Sequence, residues 1–349
     1  MTPYNVSIDD ERCHLGDVDP RQDLWENHVF LVRGRTGIGE DVTLFTGCYV
    51  IKQGAESQYV FDGNVHQTTL IHGKHTRAEK QQMHDNDFVT TGWEPSEHLL
   101  PGSIETRETG VGVAWTIGDR VCDDTPPTWC LRGRHGGIDL DIALEAHVPA
   151  FWMYPFDGLA ETGVGWYEAY LTARGTIRHD GRDLDVAGYA CHERVLLTRE
   201  HEPHRLMGRG LYWQHLFDDR VQCWMMASPS AGEAVAHLVV DGETYAADGE
   251  ESVSVEDLAY WTDPRSWLRV PVCWRIRVAT EAGDLDVVAR AFARAYYLRN
   301  EIKDAVHILY WFTSEANGTF TKRDGTVIGV VDAPFVAHSN RVLFETALP

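Results

Sequence analysis

Three adjacent titratable residues, His192, Glu193 and Arg194, interrupt an otherwise apolar run, GYACHERVLL at 188–197. Such a run predicts a buried or half-buried strand, on which His192 and Arg194 share one face and Glu193 takes the other. If the first face lines a cavity, the imidazole could exchange a proton near pH 7, and Arg194 could orient it or a substrate oxygen. If the second face lines it, Glu193 would stay protonated in apolar surroundings and could act as a general acid. A structural ion pair is the competing interpretation.

A second carboxylate lies among aromatic residues in GWYEAY at 165–170. Alternation places Trp166 and Glu168 on one face of a strand and Tyr167 and Ala169 on the other. A lone carboxylate between aromatic rings could be an acid protected from water. The same alternation fits a solvent-exposed Glu168 with Tyr167 and Ala169 in the core, and that is the arrangement we expect.

The twelve tryptophans suit either a core or a pocket for an apolar ligand. They cluster with other aromatic, thioether and amide groups in YWQH at 212–215, CWMM at 223–226 and FWMYPF at 151–156. Ordinary core packing, with a hydrogen-bonded His215, explains the first two stretches at least as well, and the third could cap a pocket or plug one end of the fold. The candidate binding residues are Trp152, Tyr154, Trp166, Tyr167, Glu168, Trp213, His215 and Trp224.

Histidine pairs with chelating spacing occur at His72-x-x-His75 and His201-x-x-His204, and His66 and His84 lie near the first pair. Both pairs look like polar loops, so we expect structural or exposed histidines and no metal, with the 66–84 region as the alternative. Phosphate-binding and nucleophile-elbow motifs are absent from the sequence, and its two G-x-G stretches open strands. The chemistry is therefore expected to need no cofactor.

The composition restricts the class of partner. The formal charge is 31 − 53 = −22, and such an acidic surface repels phosphate, so we expect neither nucleic acid nor an anionic membrane as partner. Seven scattered cysteines without a C-x-x-C pair indicate reduced thiols. The polar N-terminus and the absence of any window of 18 apolar residues favour a soluble cytoplasmic protein without membrane insertion.

Period-two alternation predicts the strands that must position these side chains, most clearly in IDLDIAL at 138–144. Segment 286–306 fits a helix or a strand, and we expect a strand, whereas 75–85 should form a short surface helix. Together these patterns predict an all-β fold with few short helices. Further alternating runs lie at 43–52, 110–117, 165–177, 221–228 and 272–280, and Asp-Gly or Gly-Gly turn signals lie at 62–63, 136–137, 157–158, 180–181, 241–242 and 324–325.

A hairpin pattern occurs twice, as GTIRHDGRDLDVAGYA at 175–190 and GTFTKRDGTVIGVVDAPFV at 318–336. Each runs from Gly-Thr through polar residues and an Asp-Gly step into an apolar strand, and Asp-Gly favours a tight turn because both central positions need positive φ. Copies 318 − 175 = 143 residues apart predict tandem β-barrels, at 1–200 and 201–349, joined by the polar stretch 198–208.

Four motifs follow one another along the chain: a G-T-[IVL] strand end, an Asp-Gly hairpin, a V-x-G-x-[AG] strand with a charged end, and a tryptophan followed by [FL]-x-[DN]. The last two fall on Val186, Gly188, Ala190, His192, Glu193, Arg194, Trp213, Phe217, Asp218, Asp219 and Met225, with Arg220 where glycine is frequent. This order resembles the tandem lipocalin-like superfamily, which includes AttH-like proteins, carotenoid 1,2-hydratases and related Diels–Alderases. The chain departs from the family at 310–313, which lacks the glutamate of Y-W-E-G, and at 195–196, where Val-Leu replaces Trp-Gly.

The resemblance implies two lipocalin-like (calycin-type) antiparallel barrels with a largely apolar, tryptophan-rich cavity in or between them. We expect a cofactor-independent enzyme that converts a hydrophobic small molecule, such as an isoprenoid or polyketide, by acid-initiated hydration, dehydration or cyclisation. Glu193 or His192 would be the acid, Arg194 would orient it, and aromatic faces would stabilise the developing cation. A carrier that binds such a molecule unchanged is the alternative, and a homodimer remains an open option.

Overall fold

A computed structural model describes residues 4–73, 97–198, 210–228, 232–263, 267–299, 303 and 305–345. Strands account for 70% of the residues and helices for 4%, so the expected all-β class is confirmed. The helical elements are α1 (Ile8–Glu11), a 3₁₀ turn at Phe156–Gly158 and α2 (Leu159–Thr162). The helix expected at 75–85, and most of the stretch expected as a linker, lie outside the described residues.

The first sheet is antiparallel and curls into a half-barrel, which we call barrel 1. Among the described residues its order is β4-β3-β2-β1-β12-β11-β9-β8-β7-β6-β5, and β10 pairs with β11 beside this path. Its strands are β1 (Leu24–Thr36), β2 (Asp41–Lys52), β3 (Gly63–Gly73), β4 (Glu97–Leu99), β5 (Glu105–Glu108), β6 (Val113–Ile117), β7 (Arg120–Thr125), β8 (Thr128–His135), β9 (Ile138–Ala146), β10 (Phe151–Tyr154), β11 (Val164–His179) and β12 (Arg182–Thr198).

The second sheet, barrel 2, has the described order β16-β15-β14-β13-β21-β20-β19-β18-β17. Residues 286–299 of the ambiguous segment 286–306 belong to strand β19, as expected. Its strands are β13 (Gly210–Leu216), β14 (Val221–Ser228), β15 (Glu233–Val240), β16 (Glu243–Asp248), β17 (Val253–Thr262), β18 (Arg269–Ala279), β19 (Gly283–Arg299), β20 (Ala305–Lys322) and β21 (Val327–Glu345).

The two copies of the hairpin pattern are β11–β12 and β20–β21, and they occupy corresponding places in the two sheets. Gly175 and Gly318 also lie in matching surroundings. A Cβ atom at either glycine would lie 2.1 Å from a backbone oxygen of the neighbouring strand, that of Asp141 or of Asp286. The sequence repeat therefore corresponds to a structural repeat.

This close approach predicts that Gly318→Ala lowers the free energy of unfolding by about 1–3 kcal/mol, because the added methyl group must displace backbone. Chemical denaturation followed by circular dichroism measures the change. Gly329→Ala is the matched control, since Gly329 lies on the paired strand and a Cβ atom added there would meet no atom within 4 Å. An equal effect of both substitutions would contradict the steric explanation.

Apolar side chains fill two regions on opposite faces of β1, β11 and β12. The interior of barrel 1 contains Phe30, Trp129 and Tyr167. The opposite face packs against barrel 2 and forms the region that we call the inter-sheet core. There Phe45 stacks on Trp311, with ring centroids 4.3 Å apart. Strands β11 and β12 therefore separate two buried environments, which decides where each candidate side chain lies.

All seven cysteines lie in the described residues as free thiols. Among those residues, no helix is long and apolar enough to cross a membrane.

Candidate active site between the two sheets

Strand β12 divides the charged trio between the two buried regions, by the alternation expected from the sequence. His192 and Arg194 point into barrel 1 and are fully buried. The His192 ring stacks on Phe30 at 4.1 Å, and its Nδ1 lies 2.9 Å from the carbonyl oxygen of Val29. Glu193 points the other way, is half-buried, and accepts a hydrogen bond from the Asn27 side chain. The three residues therefore do not form one constellation.

Glu168 lies on the same side as Glu193, directly opposite it in the β11–β12 pairing. Its side chain is buried, with 1% exposure, so the solvent-exposed position expected from the sequence is wrong. The physical reason is that barrel 2 covers this face of β11. The indole N–H groups of Trp166 and Trp213 donate to Glu168 Oε1 at 3.1 and 3.3 Å, and Trp213 belongs to the second sheet.

The electrostatic setting favours the protonated form of Glu168. Its pKa is well above the usual range, first because burial disfavours the charged form and then because Glu193 adds a like charge and a hydrogen bond. Since Glu193 is half-buried, it can pass protons between water and the enclosed Glu168. A neutral carboxylic acid beside an ionisable partner is the arrangement that general-acid catalysis requires.

His215 completes the polar part of the site. Its ring, Glu168 and Cys191 have donor atoms within 4.8 Å of one another, and the Cys191 thiol donates to Glu168 Oε2 at 2.6 Å. Burial lowers the pKa of His215 to about 3, so the ring is neutral. Within the described residues neither ring nitrogen has a hydrogen-bond partner. Leaving such a group unsatisfied costs roughly 1–3 kcal/mol, so this is where a polar atom of a ligand or a water would be stabilised.

Aromatic rings surround this polar group. Trp224 contacts Trp166 edge-on at 5.9 Å and Phe151 at 5.8 Å, and Tyr154 pairs with Trp166 at the margin of the site. Trp166 and Trp213 direct their indole N–H groups at Glu168, and the surrounding rings make the rest of its environment apolar. The structure thus brings together Tyr154, Trp166, Glu168, Glu193, Trp213, His215 and Trp224.

Two of the candidate binding residues lie elsewhere. Tyr167 points into barrel 1, where its hydroxyl donates to Glu11 Oε1 at 2.7 Å. Trp152 packs against Tyr167 at 4.8 Å, and its indole N–H donates to the Asn5 carbonyl oxygen at 3.0 Å. Since successive residues of a strand face opposite sides, neither can line the inter-sheet core.

Arg194 is held by a buried ion pair in barrel 1. Its Nη2 lies 2.7 Å from Glu26 Oε1, and its other contacts are to the carbonyl oxygens of Asn27 and Arg12. Burial lowers the pKa of Arg194, but the carboxylates of Glu26 and Glu11 outweigh that effect and the net pKa is raised. The two terminal nitrogens of Arg194 are thus bound to the fold on the side away from Glu193, while Nε has no hydrogen-bond partner among the described residues.

Sequence reasoning did not select Asn27, Cys191 or Glu11. Cys191 could have been selected from the sequence, because alternation places it on the same face of the strand as Glu193. Asn27 and Glu11 had none, because their contacts with β12 span 166 and 181 residues of sequence. His66 and His72 are buried in β3, while His75, His84, His201 and His204 lie outside the described residues.

No protein-family model matches this sequence, and no curated protein matches it. Among solved structures, an AttH-like protein from Nitrosomonas europaea is similar at 13% identity and a TM-score of 0.59, covering 98% of both chains. Kievitone hydratase from Nectria haematococca is similar at 8% identity and a TM-score of 0.53, covering 99% of this chain and 94% of that one. CghA with Sch210972 is similar at 14% identity and a TM-score of 0.56, covering 93% and 89%. The chain therefore has the tandem lipocalin-like fold.

Proposed function

We propose that this protein is a cofactor-independent enzyme that protonates an alkene of a hydrophobic small molecule at the inter-sheet core. The observation that carries the proposal is the burial of Glu168 against two tryptophans and opposite Glu193, a setting that raises its pKa. The sequence indicated Glu193 or His192 as the acid. The site geometry favours Glu168 as the donor and Glu193 as its relay, since His192 faces barrel 1.

The proposed step balances with protein groups and water. The Glu168 O–H transfers its proton to one alkene carbon, which leaves a carbocation facing the indole rings and a Glu168 carboxylate. Water then adds to the cation and returns a proton to Glu168, giving an alcohol; alternatively, an internal double bond attacks and a later proton loss gives a ring. His215 would hold the water or a polar substituent of the substrate, because its ring nitrogens have no other described hydrogen-bond partner.

The name of one structural neighbour agrees with this class of reaction, since it is a hydratase. The substrate class we favour is an isoprenoid or polyketide, because the site is mostly aromatic surface with few polar atoms. Three expectations stay predictions: the division into units 1–200 and 201–349, a cytoplasmic location, and the absence of nucleic-acid partners.

The alternative function is a carrier that binds the same kind of molecule without changing it. The apolar lining favours both functions, and the acid pair separates them, because a carrier has no use for a buried carboxylic acid whose ionisation must be suppressed. Ligand binding without any turnover in wild type would favour the carrier.

The first experiment is incubation with polyenes, terpenoids and linear polyketides in ¹⁸O-labelled water, followed by mass spectrometry. Gain of one labelled water is the expected result for a hydratase, and an unchanged mass at a new retention time is the expected result for a cyclase. Recovery of a bound but chemically unchanged compound would replace the enzyme by the carrier. Quenching of tryptophan fluorescence would report binding independently of turnover.

The acid form of Glu168 also predicts a pH dependence. Because only the protonated form donates, the rate should be constant at low pH and fall as pH rises through the raised pKa of Glu168. Glu193→Gln removes the neighbouring carboxylate and should move this fall to lower pH. Cys191 and His215 also face Glu168. The pH profiles of Cys191→Ser and His215→Gln are therefore compared with that of Glu193→Gln. A profile that Glu193→Gln leaves unmoved would contradict the pairing.

A further inference from the structure

Barrel 1 contains a second group of chemically active side chains, apart from the inter-sheet core. Donor atoms of Glu11, His28 and His192 lie within 4.8 Å of one another, and so do those of His28, Cys122 and Asp124. The two sets share His28, and every member is buried. His192 Nε2 lies 3.1 Å from Glu11 Oε2, and His28 Nε2 lies 2.7 Å from Asp124 Oδ2.

The outer contacts of this group orient its donors. His192 Nδ1 lies 2.9 Å from the Val29 carbonyl oxygen, so Nδ1 carries the hydrogen and Nε2 is aimed at Glu11. The other oxygen of Glu11 accepts hydrogen bonds from the Tyr167 hydroxyl at 2.7 Å and the Trp129 indole at 2.8 Å, which leaves Oε2 facing the histidines. Histidine ligands of metals are usually fixed in this way by a carbonyl or carboxylate on the far nitrogen.

The spacing and the surroundings fit a single small ion. Two ligands of a tetrahedral ion at about 2.0–2.1 Å are roughly 3.4 Å apart, close to the separation of His192 Nε2 and Glu11 Oε2. A cavity with about 20 Å³ open to the centres of water molecules borders the group and is lined in part by His28 and Cys122. That space is enough for one water beside His28.

We propose that barrel 1 binds one divalent first-row transition ion through His28, His192 and Glu11, and the donor set favours Zn²⁺. Imidazole nitrogen with carboxylate oxygen suits Zn²⁺, whereas Ca²⁺ and Mg²⁺ take oxygen ligands. This inference replaces the expectation of no metal, and the group contains neither of the histidine pairs that chelating spacing suggested. The metal site is independent of the proposed function, because Glu168 and Glu193 lie on the opposite face of the paired strands β11 and β12.

Equilibrium dialysis of the full chain against Zn²⁺, with metal content measured by mass spectrometry, tests the proposal. We expect about one equivalent per chain, and Co²⁺ should give the visible absorption of a tetrahedral site. His192→Gln and His28→Gln should abolish stoichiometric binding. Tyr167→Phe keeps all ligands but removes a hydrogen bond to Glu11, and should weaken binding about tenfold.

The matched control is His237→Gln, since His237 is a buried histidine of barrel 2, outside the group; it should retain one equivalent. If circular dichroism shows that a variant of a metal ligand does not fold, three other measurements still test the metal site. They are the wild-type stoichiometry, the Co²⁺ spectrum and the affinity of Tyr167→Phe. Well under one equivalent in wild type, or full binding in folded His192→Gln, overturns the proposal. None of these readouts depends on turnover, so failure here leaves the proposed function untouched.

Discussion

Glu168→Gln is expected to lower turnover of the substrate by about 10²–10⁴-fold, the usual contribution of a general acid. An amide has nearly the shape and hydrogen-bonding capacity of a neutral carboxyl group, but it cannot give up a proton to an alkene. Because burial favours the neutral form of Glu168, the variant should keep its stability within about 1 kcal/mol and its ligand affinity within a few fold. Turnover by mass spectrometry and binding by tryptophan fluorescence measure the two quantities separately.

Glu145→Gln is the matched control, since Glu145 is an exposed glutamate on the neighbouring strand β9 and should change neither quantity. A Glu168→Gln protein that turns over at the wild-type rate would remove Glu168 from the mechanism. A variant that loses binding together with turnover would show that the carboxyl holds the ligand instead of protonating it.

Arg194→Met is expected to cost about 3–5 kcal/mol of folding free energy, the largest stability effect that we anticipate. The substitution leaves the Glu26 carboxylate, which is 0% exposed, without its guanidinium partner. Burying a charge without a partner costs far more folding free energy than the intact ion pair contributes on balance. Urea unfolding measures the loss, and Arg194→Met combined with Glu26→Gln should recover part of it.

The matched control is Arg178→Met, because Arg178 forms a solvent-exposed ion pair with Asp139 at 3.5 Å. Exposed pairs contribute roughly 0–1 kcal/mol, so this variant should be nearly neutral. If Arg194→Met were equally mild, the ion pair could not be the reason for an arginine on this strand, and a direct role in chemistry would gain support.

The fold and part of the site follow from local pattern. Period two predicts the strands, and the same rule puts His192 and Glu193 on opposite faces of one strand from their positions in the chain alone. The repeated Asp-Gly hairpins indicate the tandem arrangement. The aromatic residues selected around Glu168 do meet there, because they lie on the neighbouring strands β10 and β11 and on the strands β13 and β14 of the second sheet.

The rest depends on contacts between distant segments. Alternation says that a strand has two faces but not which of them a second sheet will cover, so the burial of Glu168 could not be deduced from its own neighbours. The partners of His192 come from α1 and β1, more than 160 residues away. A short acidic helix such as IDDE at 8–11 gives no local sign that Glu11 is buried in a barrel.

The matched strand orders of the two sheets mean that the chain holds two versions of one architecture. With Gly175 aligned to Gly318, Glu168 corresponds to Trp311, which pairs with His338 just as Glu168 pairs with Glu193. Where one copy has an acid pair, the other has an indole stacked on an imidazole at 4.3 Å. The same position in the two copies thus carries different chemistry, a pair of carboxyl groups in the first and a stack of aromatic rings in the second.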